Sequence, residues 1–449
     1  MKVIERKYLV PFILVTSLFL LWGIANNMTD TLLSAFKRIM SMSDAQTSLI
    51  QFAFYGSYFC FALPAALYIR KYSYKSGVIL GLALYAAGAI LFFPAAKTAS
   101  YAFYLVAIYI MAGGCSVLET TANPYIMAMG SSQTATRRLN VAQSFNPLGS
   151  ITGILLSQYF ILSELSSASA SERAAMSADQ LAAMQAHELG AVTGTYMTLG
   201  FVLLAIMVVM LIVRMPEGGG SAEEASGTGL ASGSGSDQTA VSGSGESMID
   251  GMMASFRRLS RNRKYIWGVV AQFFYVGAQI GVWSFTIRLV MKELGILEAQ
   301  AASIYLAAII CFSAARFIFT WAMKFVRPSS LLACAAAADI VLSALVVLLG
   351  GTGWICVACL VAISFFMSLM FPTIYGIALC DVENEAAGGK AGDAKIGASG
   401  LIMAILGGAL LTPLQGMLSD AAGINISYLV PLVCFVVVLV YSLTAAREK

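Results

Sequence analysis

Two carboxylic acids lie inside apolar stretches of this chain, where a charged side chain is costly. Asp30 belongs to the first long apolar run and Glu119 to the fourth. On insertion scales an unpaired charge at the centre of a bilayer costs about 2.5–3.5 kcal/mol. Because such a cost is tolerated where the group serves a purpose, we interpret both acids as groups that bind protons or a polar solute.

Amide side chains accompany both acids at helical spacing. Asn26 and Asn27 precede Asp30 by four and three residues, so the three share one face of a helix. Glu119 and Asn123 are also four residues apart. A single Asn in a membrane span often only joins two helices, and a structural pair is the alternative here. An acid with amides on one stripe favours a binding surface.

The chain beyond Glu119 extends this polar surface. Pro124 lacks a backbone N–H, which predicts a broken helix with a free carbonyl near Thr120 that lines a cavity. Gln143 and Asn146 lie three residues apart in the fifth apolar run. Amides suit a neutral polyol because each offers a donor and an acceptor without charge. We therefore predict that both amides contact the solute.

The seventh apolar run carries a polar and aromatic stripe. Gln272, Tyr275, Gln279 and Trp283 follow the spacing i, i+3, i+7 and i+11, which places them on one helix face. An aromatic face can stack on a sugar ring, and the glutamines can bond its hydroxyl groups. The alternative is a packing stripe with an interfacial Trp.

Two further ionisable residues lie within later runs. Arg316 lies deep in the eighth, where a buried guanidinium needs an acidic or carbonyl partner. It could neutralise a carboxylate during turnover, or it could attach its helix to a loop. Asp339, in the ninth run among alanines, is interpreted as a structural hydrogen-bonding residue.

The composition indicates a polytopic membrane protein. Of 449 residues, 59% are hydrophobic and 11% charged, and the mean hydropathy is +0.80, whereas soluble domains carry about 25% charged residues. The small net charge of +4 gives no support for nucleic-acid binding.

No cofactor or metal site is expected. Cys356 and Cys359 have CxxC spacing, but no second pair follows and the single His187 is distant in sequence. All eight cysteines are interpreted as small buried apolar residues. The sequence also offers no nucleophile–His pair, so we do not expect an enzyme.

Twelve runs are long enough to cross a membrane as helices, which need about 20 mostly apolar residues. They fall into two groups of six, numbered here as spans 1 to 12. Their predicted limits are 8–36, 47–69, 76–95, 101–128, 139–163, 191–214, 264–291, 299–323, 328–349, 353–379, 395–418 and 424–446.

The expected fold is therefore an all-α membrane protein of two pseudo-symmetric six-helix bundles. We assign residues 1–214 to the first bundle and 264–449 to the second, with a Gly/Ser-rich flexible linker over 215–263. Residues 164–190 form a second long loop, with the potential for a short surface helix beginning near Ser177.

Three features repeat in order between the two groups, which suggests parallel halves with a site between them at mid-membrane. The pairs are Gly23 with Gly277, Asn123-Pro124 with Phe371-Pro372, and Gly149 with Gly408. Lys and Arg concentrate in the segments on the side of both termini and the linker, which predicts that this side is cytoplasmic.

The chain resembles the major facilitator superfamily, and within it the family of fucose:proton symporters, which also includes glucose/galactose permeases. The resemblance covers nearly all of residues 8–446. The segments that carry it are ANNMTD at 25–30, QFAFYG at 51–56, LETTANP at 118–124, LNVAQSFN at 139–146 and AQFFYVGAQ at 271–279.

The resemblance implies twelve helices in two six-helix bundles (the MFS fold), alternating access, and uptake of a sugar, L-fucose first of all, driven by a proton gradient. The family's two membrane carboxylates correspond to Asp30 and Glu119. We expect Asp30 to carry the coupled proton and Glu119 mainly to contact substrate. A monomer in a bacterial inner membrane is expected, with lipid, sugar and protons as its partners.

Several alternatives remain open at this point. A glucose/galactose permease is the nearest, and sodium could replace the proton if Asp30, Asn26 and Thr29 supplied oxygen ligands. An exporter of drugs or lipids belongs to another class and is disfavoured by the amides. A membrane sensor is disfavoured because the termini and linker are short and polar.

Overall fold

The computed structural model of the chain describes residues 4, 8–40, 44–98, 100–166, 168, 170–215, 248–384 and 393–447. Within these residues the protein consists of α-helices, two short 3₁₀ helices and connecting turns, without a strand. The helices alternate in direction, as short connections between long helices require.

The first half contains spans 1 to 6. Span 1 is Leu9–Ile39, span 2 Asp44–Lys71, span 3 Tyr74–Ile90 followed by Phe92–Thr98, span 4 Tyr101–Ala128, span 5 Ala135–Gln143 followed by Phe145–Phe160, and span 6 Ala178–Ile212. The 3₁₀ helices Ser132–Thr134 and Leu162–Glu164 and the short helix Ala170–Ala175 lie in the connections.

The second half contains spans 7 to 12, preceded by a linker helix, Met248–Arg261. Span 7 is Arg263–Leu294, span 8 Glu298–Ala322, span 9 Pro328–Leu348, span 10 Trp354–Met367 followed by Met370–Asn384, span 11 Asp393–Met403 followed by Leu406–Ala422, and span 12 Ile424–Ser427 followed by Leu429–Arg447.

The twelve predicted spans are confirmed as helices. In the part of the chain that the structure describes, ten helical segments are long and apolar enough to cross a membrane, and span 1 adds a shorter apolar segment, Leu9–Ala25. Span 5 completes the twelve as two shorter helices end to end. The repeated crossings divide the molecule into two ends. We call the end where span 1 begins and residue 215 leaves the bundle the linker end.

Span 6 begins earlier than predicted. Its helix starts at Ala178 rather than near 191, with a capping box in which Ser177 and Gln180 bond each other's backbone N–H groups. The polar residues that follow lower the hydropathy without ending the helix. The surface helix predicted from Ser177 is therefore the first part of span 6.

The predicted break at Pro124 is wrong, since span 4 is a continuous helix with this proline inside it. Interruptions occur instead in spans 3, 5, 10, 11 and 12, at Leu91 in span 3 and at Tyr428 in span 12. Span 5 is interrupted at Ser144, span 10 at 368–369 and span 11 at 404–405.

Glycines allow close helix contacts at matching places in the two halves. A Cβ atom on Gly149 of span 5 would lie 2.0 Å from the Leu20 carbonyl oxygen of span 1. On Gly407 of span 11 it would lie 2.0 Å from the Phe273 carbonyl oxygen of span 7. Gly408, the predicted counterpart, faces the Ile280 side chain. The equivalent of Gly149 is thus Gly407, one residue from the predicted position.

The two halves are joined at the linker end. Lys395 donates to the Ile69 carbonyl oxygen at 3.0 Å, and Asn140 donates to the Thr373 hydroxyl oxygen at 3.3 Å. The Arg70 guanidinium reaches Ser255 of the linker helix at 3.0 Å. These contacts close the linker end beneath the site described next.

Candidate functional site

A cavity of about 470 Å³ lies between the two halves, near the middle of the spans. This size is within the range of about 300–1,000 Å³ that is typical of small-molecule sites. Its lining residues are Trp22, Asn27, Phe54, Tyr55, Tyr58, Glu119, Gln143, Asn146, Ser150, Val276, Gln279, Ile280, Trp283, Ser284, Ile287, Arg288, Tyr305, Arg316, Phe371 and Ile405.

Glu119 is the acid in this wall. Its side chain is only 6% exposed, and the Tyr58 hydroxyl of span 2 donates a long hydrogen bond of 3.4 Å to its Oε1 atom. Span 4 is buried around it on every side from Gly113 to Met127. The carboxyl group thus reaches the cavity from a fully buried stretch of its helix.

The amides predicted in spans 1, 4 and 5 surround this acid. Gln143 donates to the Asn123 side-chain oxygen at 2.9 Å. Asn123, predicted to belong to the binding surface, does not itself line the cavity and orients the Gln143 amide instead. Asn146 donates to the Phe19 carbonyl oxygen at 3.3 Å, and Asn27 donates to the Gly23 carbonyl oxygen at 3.2 Å. Gln143, Asn146 and Asn27 all line the cavity.

The second half contributes a different wall. Gln279 supplies an amide, whereas Val276, Ile280, Ile287 and Trp283 supply apolar surface. The Trp283 ring packs edge-on against Phe312 with the centroids 5.1 Å apart. The site therefore combines the acid and amides of the first half with a second-half wall in which apolar side chains accompany Gln279, Arg288 and Arg316.

Only part of the predicted span 7 stripe reaches the cavity. Gln279 and Trp283 line it, but Gln272 and Tyr275 do not. Gln272 is fully buried, and neither of its amide atoms has a hydrogen-bond partner among the described residues. The Tyr275 hydroxyl donates to the Met367 carbonyl oxygen at 2.8 Å. Both residues belong to the interior of the second half.

Asn26 and Asp30 lie in the span 1 helix, but their side chains fall outside the part of the structure that is described. Their predicted roles therefore remain predictions from the sequence.

Arg316 lies at the base of the cavity and is 3% exposed. It donates to the Ser368 carbonyl oxygen at 2.6 Å and to the Gln143 carbonyl oxygen at 2.9 Å, and its guanidinium lies over the Phe312 ring. The sequence left an acid and a carbonyl as possible partners of Arg316. Its described hydrogen bonds go to carbonyl oxygens of spans 5 and 10.

Sequence reasoning missed several lining residues. Tyr55 and Tyr58 of span 2, Arg288 of span 7 and Tyr305 of span 8 all reach the cavity. The one available signal was the spacing of Phe54 and Tyr58, four residues apart in a polar-aromatic segment. Arg288 follows the predicted stripe at a position that no pattern distinguished.

The chemistry of this arrangement is reversible binding. Carboxyl, amide, hydroxyl and guanidinium groups offer donors and acceptors for a polyol, and the carboxyl can also exchange a proton. Within the described residues, no three His, Cys, Asp or Glu side chains are grouped closely enough to bind a metal ion. A larger cavity of about 760 Å³ lies between spans 1, 5 and 6, but none of the predicted site residues lines it.

Comparison with known proteins gives concordant matches. The Major Facilitator Superfamily matches residues 12–392. An L-fucose-proton symporter of Haemophilus influenzae is 41% identical over 99% of this chain and 98% of its own length. Its Escherichia coli counterpart is 36% identical over 98% and 93%. A glucose/galactose transporter of Brucella abortus is 30% identical over 99% and 96%.

Among solved structures, the crystal structure of the transporter FucP in the outward conformation is similar to this chain. The TM-score is 0.82 at 35% identity, over 98% of this chain and 99% of that one. A proton:xylose symporter, XylE, shares the fold with a TM-score of 0.66 at 13% identity.

Proposed function

This chain belongs to the Major Facilitator Superfamily, and from that membership we propose that it imports L-fucose together with protons by alternating access. Two relatives that match over nearly their whole length are named L-fucose-proton symporters. The observation that carries the proposal is the cavity between the halves, which the buried Glu119 lines together with the amides Asn27, Gln143 and Asn146.

The shape of the site suits a deoxy sugar. L-fucose presents hydroxyl groups on its ring and a methyl group in place of a hydroxymethyl group. The amides Asn27, Gln143 and Asn146 can bond the hydroxyls, while Ile280 and Ile287 supply a wall on which the methyl group is buried without losing a hydrogen bond. Trp283 offers a ring face for stacking.

Protons enter the cycle through the acids. When the site opens outward, Asp30 and Glu119 take up protons from the side with the higher proton concentration. The neutral site binds the sugar, and the halves rock about it. Facing the other side, the sugar leaves and the acids release their protons. We assign the coupled proton to Asp30, on the sequence alone, and substrate contact to Glu119.

A glucose/galactose permease is the second candidate, because a Brucella abortus relative of that name is 30% identical over almost the whole chain. Those sugars carry a hydroxymethyl group where L-fucose has a methyl group, and burial against Ile280 and Ile287 favours the methyl group. We therefore expect L-fucose to compete strongly with them for uptake.

The decisive experiment is uptake of labelled L-fucose into proteoliposomes, with and without an inward proton gradient. We expect Asp30→Asn to abolish gradient-driven accumulation while exchange of internal for external sugar persists. We expect Glu119→Gln to weaken sugar binding by up to about tenfold, because a hydrogen bond between neutral groups is worth about 0.5–1.5 kcal/mol. Asp420→Asn removes an exposed carboxylate of span 11 and serves as the matched control.

If Asp30→Asn still concentrates the sugar, the proton assignment is wrong. If a sugar panel shows glucose or galactose taken up in preference to L-fucose, the substrate assignment is wrong. In the cell we propose a monomer in the bacterial inner membrane. The distribution of Lys and Arg predicts that its linker end faces the cytoplasm.

A further inference from the structure

The contacts of Arg316 follow a pattern that the transport site does not explain. Its Nε atom donates to the Ser368 carbonyl oxygen at 2.6 Å and its Nη1 atom to the Gln143 carbonyl oxygen at 2.9 Å. Ser368 lies at the interruption of span 10, and Gln143 ends the first segment of span 5. One guanidinium thus bonds the broken backbones of two spans, one from each half.

Both carbonyls have been freed by a proline. In an α-helix the carbonyl of residue i accepts from the N–H of residue i+4, which proline lacks. Pro147 follows Gln143 by four residues, and Pro372 follows Ser368 by four. Each proline therefore leaves one buried acceptor without its helical partner, and an unpaired buried acceptor is costly. Arg316 satisfies both.

We propose that Arg316 is a positioning residue that latches span 5 of the first half to span 10 of the second, by binding the two carbonyls that Pro147 and Pro372 leave free. The bond to Ser368 lies within the second half and fixes the orientation of the Arg316 side chain. The Gln143 bond crosses between the halves and breaks when the linker end opens. The link to turnover rests on the proposed alternating access.

The latch adjoins the sugar site. Gln143 uses its backbone carbonyl for Arg316, while its side chain donates to Asn123 and lines the cavity. A solute that engages the Gln143 amide therefore acts on the same residue that holds the halves together. This places the latch where occupancy of the site can bias its release.

Spans 5 and 10 also supply a built-in reporter. Nearer the linker end, the Thr136 hydroxyl oxygen lies 3.9 Å from the Cys380 sulfur, across the junction of the halves. Cys380 is 8% exposed. Its rate of alkylation should follow the fraction of molecules in which this junction is open.

The test is alkylation of Cys380 in the purified full-length protein in lipid nanodiscs, followed by mass spectrometry of the Cys380 peptide. Neither sugar nor a proton gradient is needed, so the result is independent of the proposed substrate. We expect Arg316→Gln to speed alkylation on the order of tenfold, since one charge-assisted hydrogen bond between the halves is lost.

Pro147→Ala tests the same bond from the other side and removes no side chain from the latch. It restores an N–H that competes with Arg316 for the Gln143 carbonyl, so alkylation should again be faster. The double variant should be no faster than Arg316→Gln alone, because both changes act on one bond. If Arg316→Gln does not fold, Pro147→Ala decides the question.

Pro64→Ala serves as the control, since it restores an N–H inside span 2 in the same way. It does not touch the Gln143 carbonyl and should leave alkylation at the wild-type rate. A wild-type rate in Pro147→Ala, or independent effects of the two latch changes, overturns the proposal.

Discussion

The buried acids Glu119 and Asp339 differ in what surrounds them. Glu119 has the Tyr58 hydroxyl beside it and faces a cavity lined with amides. Asp339, in span 9, is fully buried, and neither of its carboxyl oxygens has a hydrogen-bond partner among the described residues, so the structural hydrogen bond predicted for it is not found there. An ionised carboxylate without partners is too costly to bury. Asp339 is therefore held as the neutral acid.

This leads to a prediction for Asp339→Asn. The change exchanges one neutral group for another of nearly the same shape, so the melting temperature should move by less than about 2 °C, and transport should keep its pH profile. Asp393→Asn makes the same change at an acid that accepts two 2.7 Å bonds from Arg258. That variant should melt clearly lower. A shifted pH profile in Asp339→Asn would show that the residue ionises during turnover.

At the scale of helices, glycine residues set how closely two neighbouring helices can pack. Gly149→Ala would place a methyl group 2.0 Å from the Leu20 carbonyl oxygen, which is backbone and cannot rotate away. Forcing spans 1 and 5 apart should cost about 1–3 kcal/mol and lower both the melting temperature and the affinity for sugar, because Asn27 and Asn146 lie on these two spans.

Gly194→Ala in span 6 is the matched control, since a Cβ atom there meets nothing within 4 Å. It should leave the melting temperature unchanged or raise it slightly, because alanine favours a helix over glycine by about 0.5–1 kcal/mol. Equal losses in the two variants would contradict the packing argument.

The sequence predicts helices better than it predicts their interruptions, and the prolines show why. Hydropathy alone placed all twelve spans, since every crossing must satisfy its own backbone bonds. Pro124 suggested a break, yet it lies inside a continuous helix, whereas Pro147 and Pro372 accompany interruptions whose free carbonyls meet Arg316. Whether the carbonyl that a proline frees finds a partner depends on a side chain from a distant span. The local sequence pattern carries no information about that side chain.

The sequence also located some of the site residues better than others. The amides near Glu119 were predictable, because acids and amides on one stripe have few other uses in a membrane. The span 7 stripe was predicted as a unit, but only Gln279 and Trp283 line the cavity. Helical spacing shows on which face of the helix a residue lies, but not whether the cavity extends to its position along the helix. Gln272 lies at a position where span 7 packs against its own half.

For the molecule as a whole, the contacts at the linker end determine which side the cavity faces. Lys395 of span 11 crosses to the Ile69 carbonyl oxygen of span 2 and lies over the Tyr74 ring. Lys395→Gln should therefore open the linker end in a larger fraction of molecules and speed alkylation of Cys380 about fivefold, as expected for a loss near 1 kcal/mol.

Lys75→Gln provides the comparison. Lys75 also donates to backbone carbonyls at the linker end, those of Leu211 and Val213, each at 2.8 Å, but all three residues belong to the first half. Losing these bonds should not alter Cys380 alkylation. If the two lysine variants behave alike, the effect reflects lost charge or general loosening rather than separation of the halves.

The most direct consequence of rocking halves is that a covalent bond across the linker end must stop the cycle. Thr136→Cys would bring a second thiol close to Cys380, whose sulfur lies 3.9 Å from the present hydroxyl oxygen. After oxidation, uptake of labelled sugar should fall to the level of empty liposomes, because the linker end can no longer open. Reduction should restore it. Thr136→Ala, oxidised in the same way, should transport normally, and undiminished uptake by the cross-linked protein would exclude alternation at this junction.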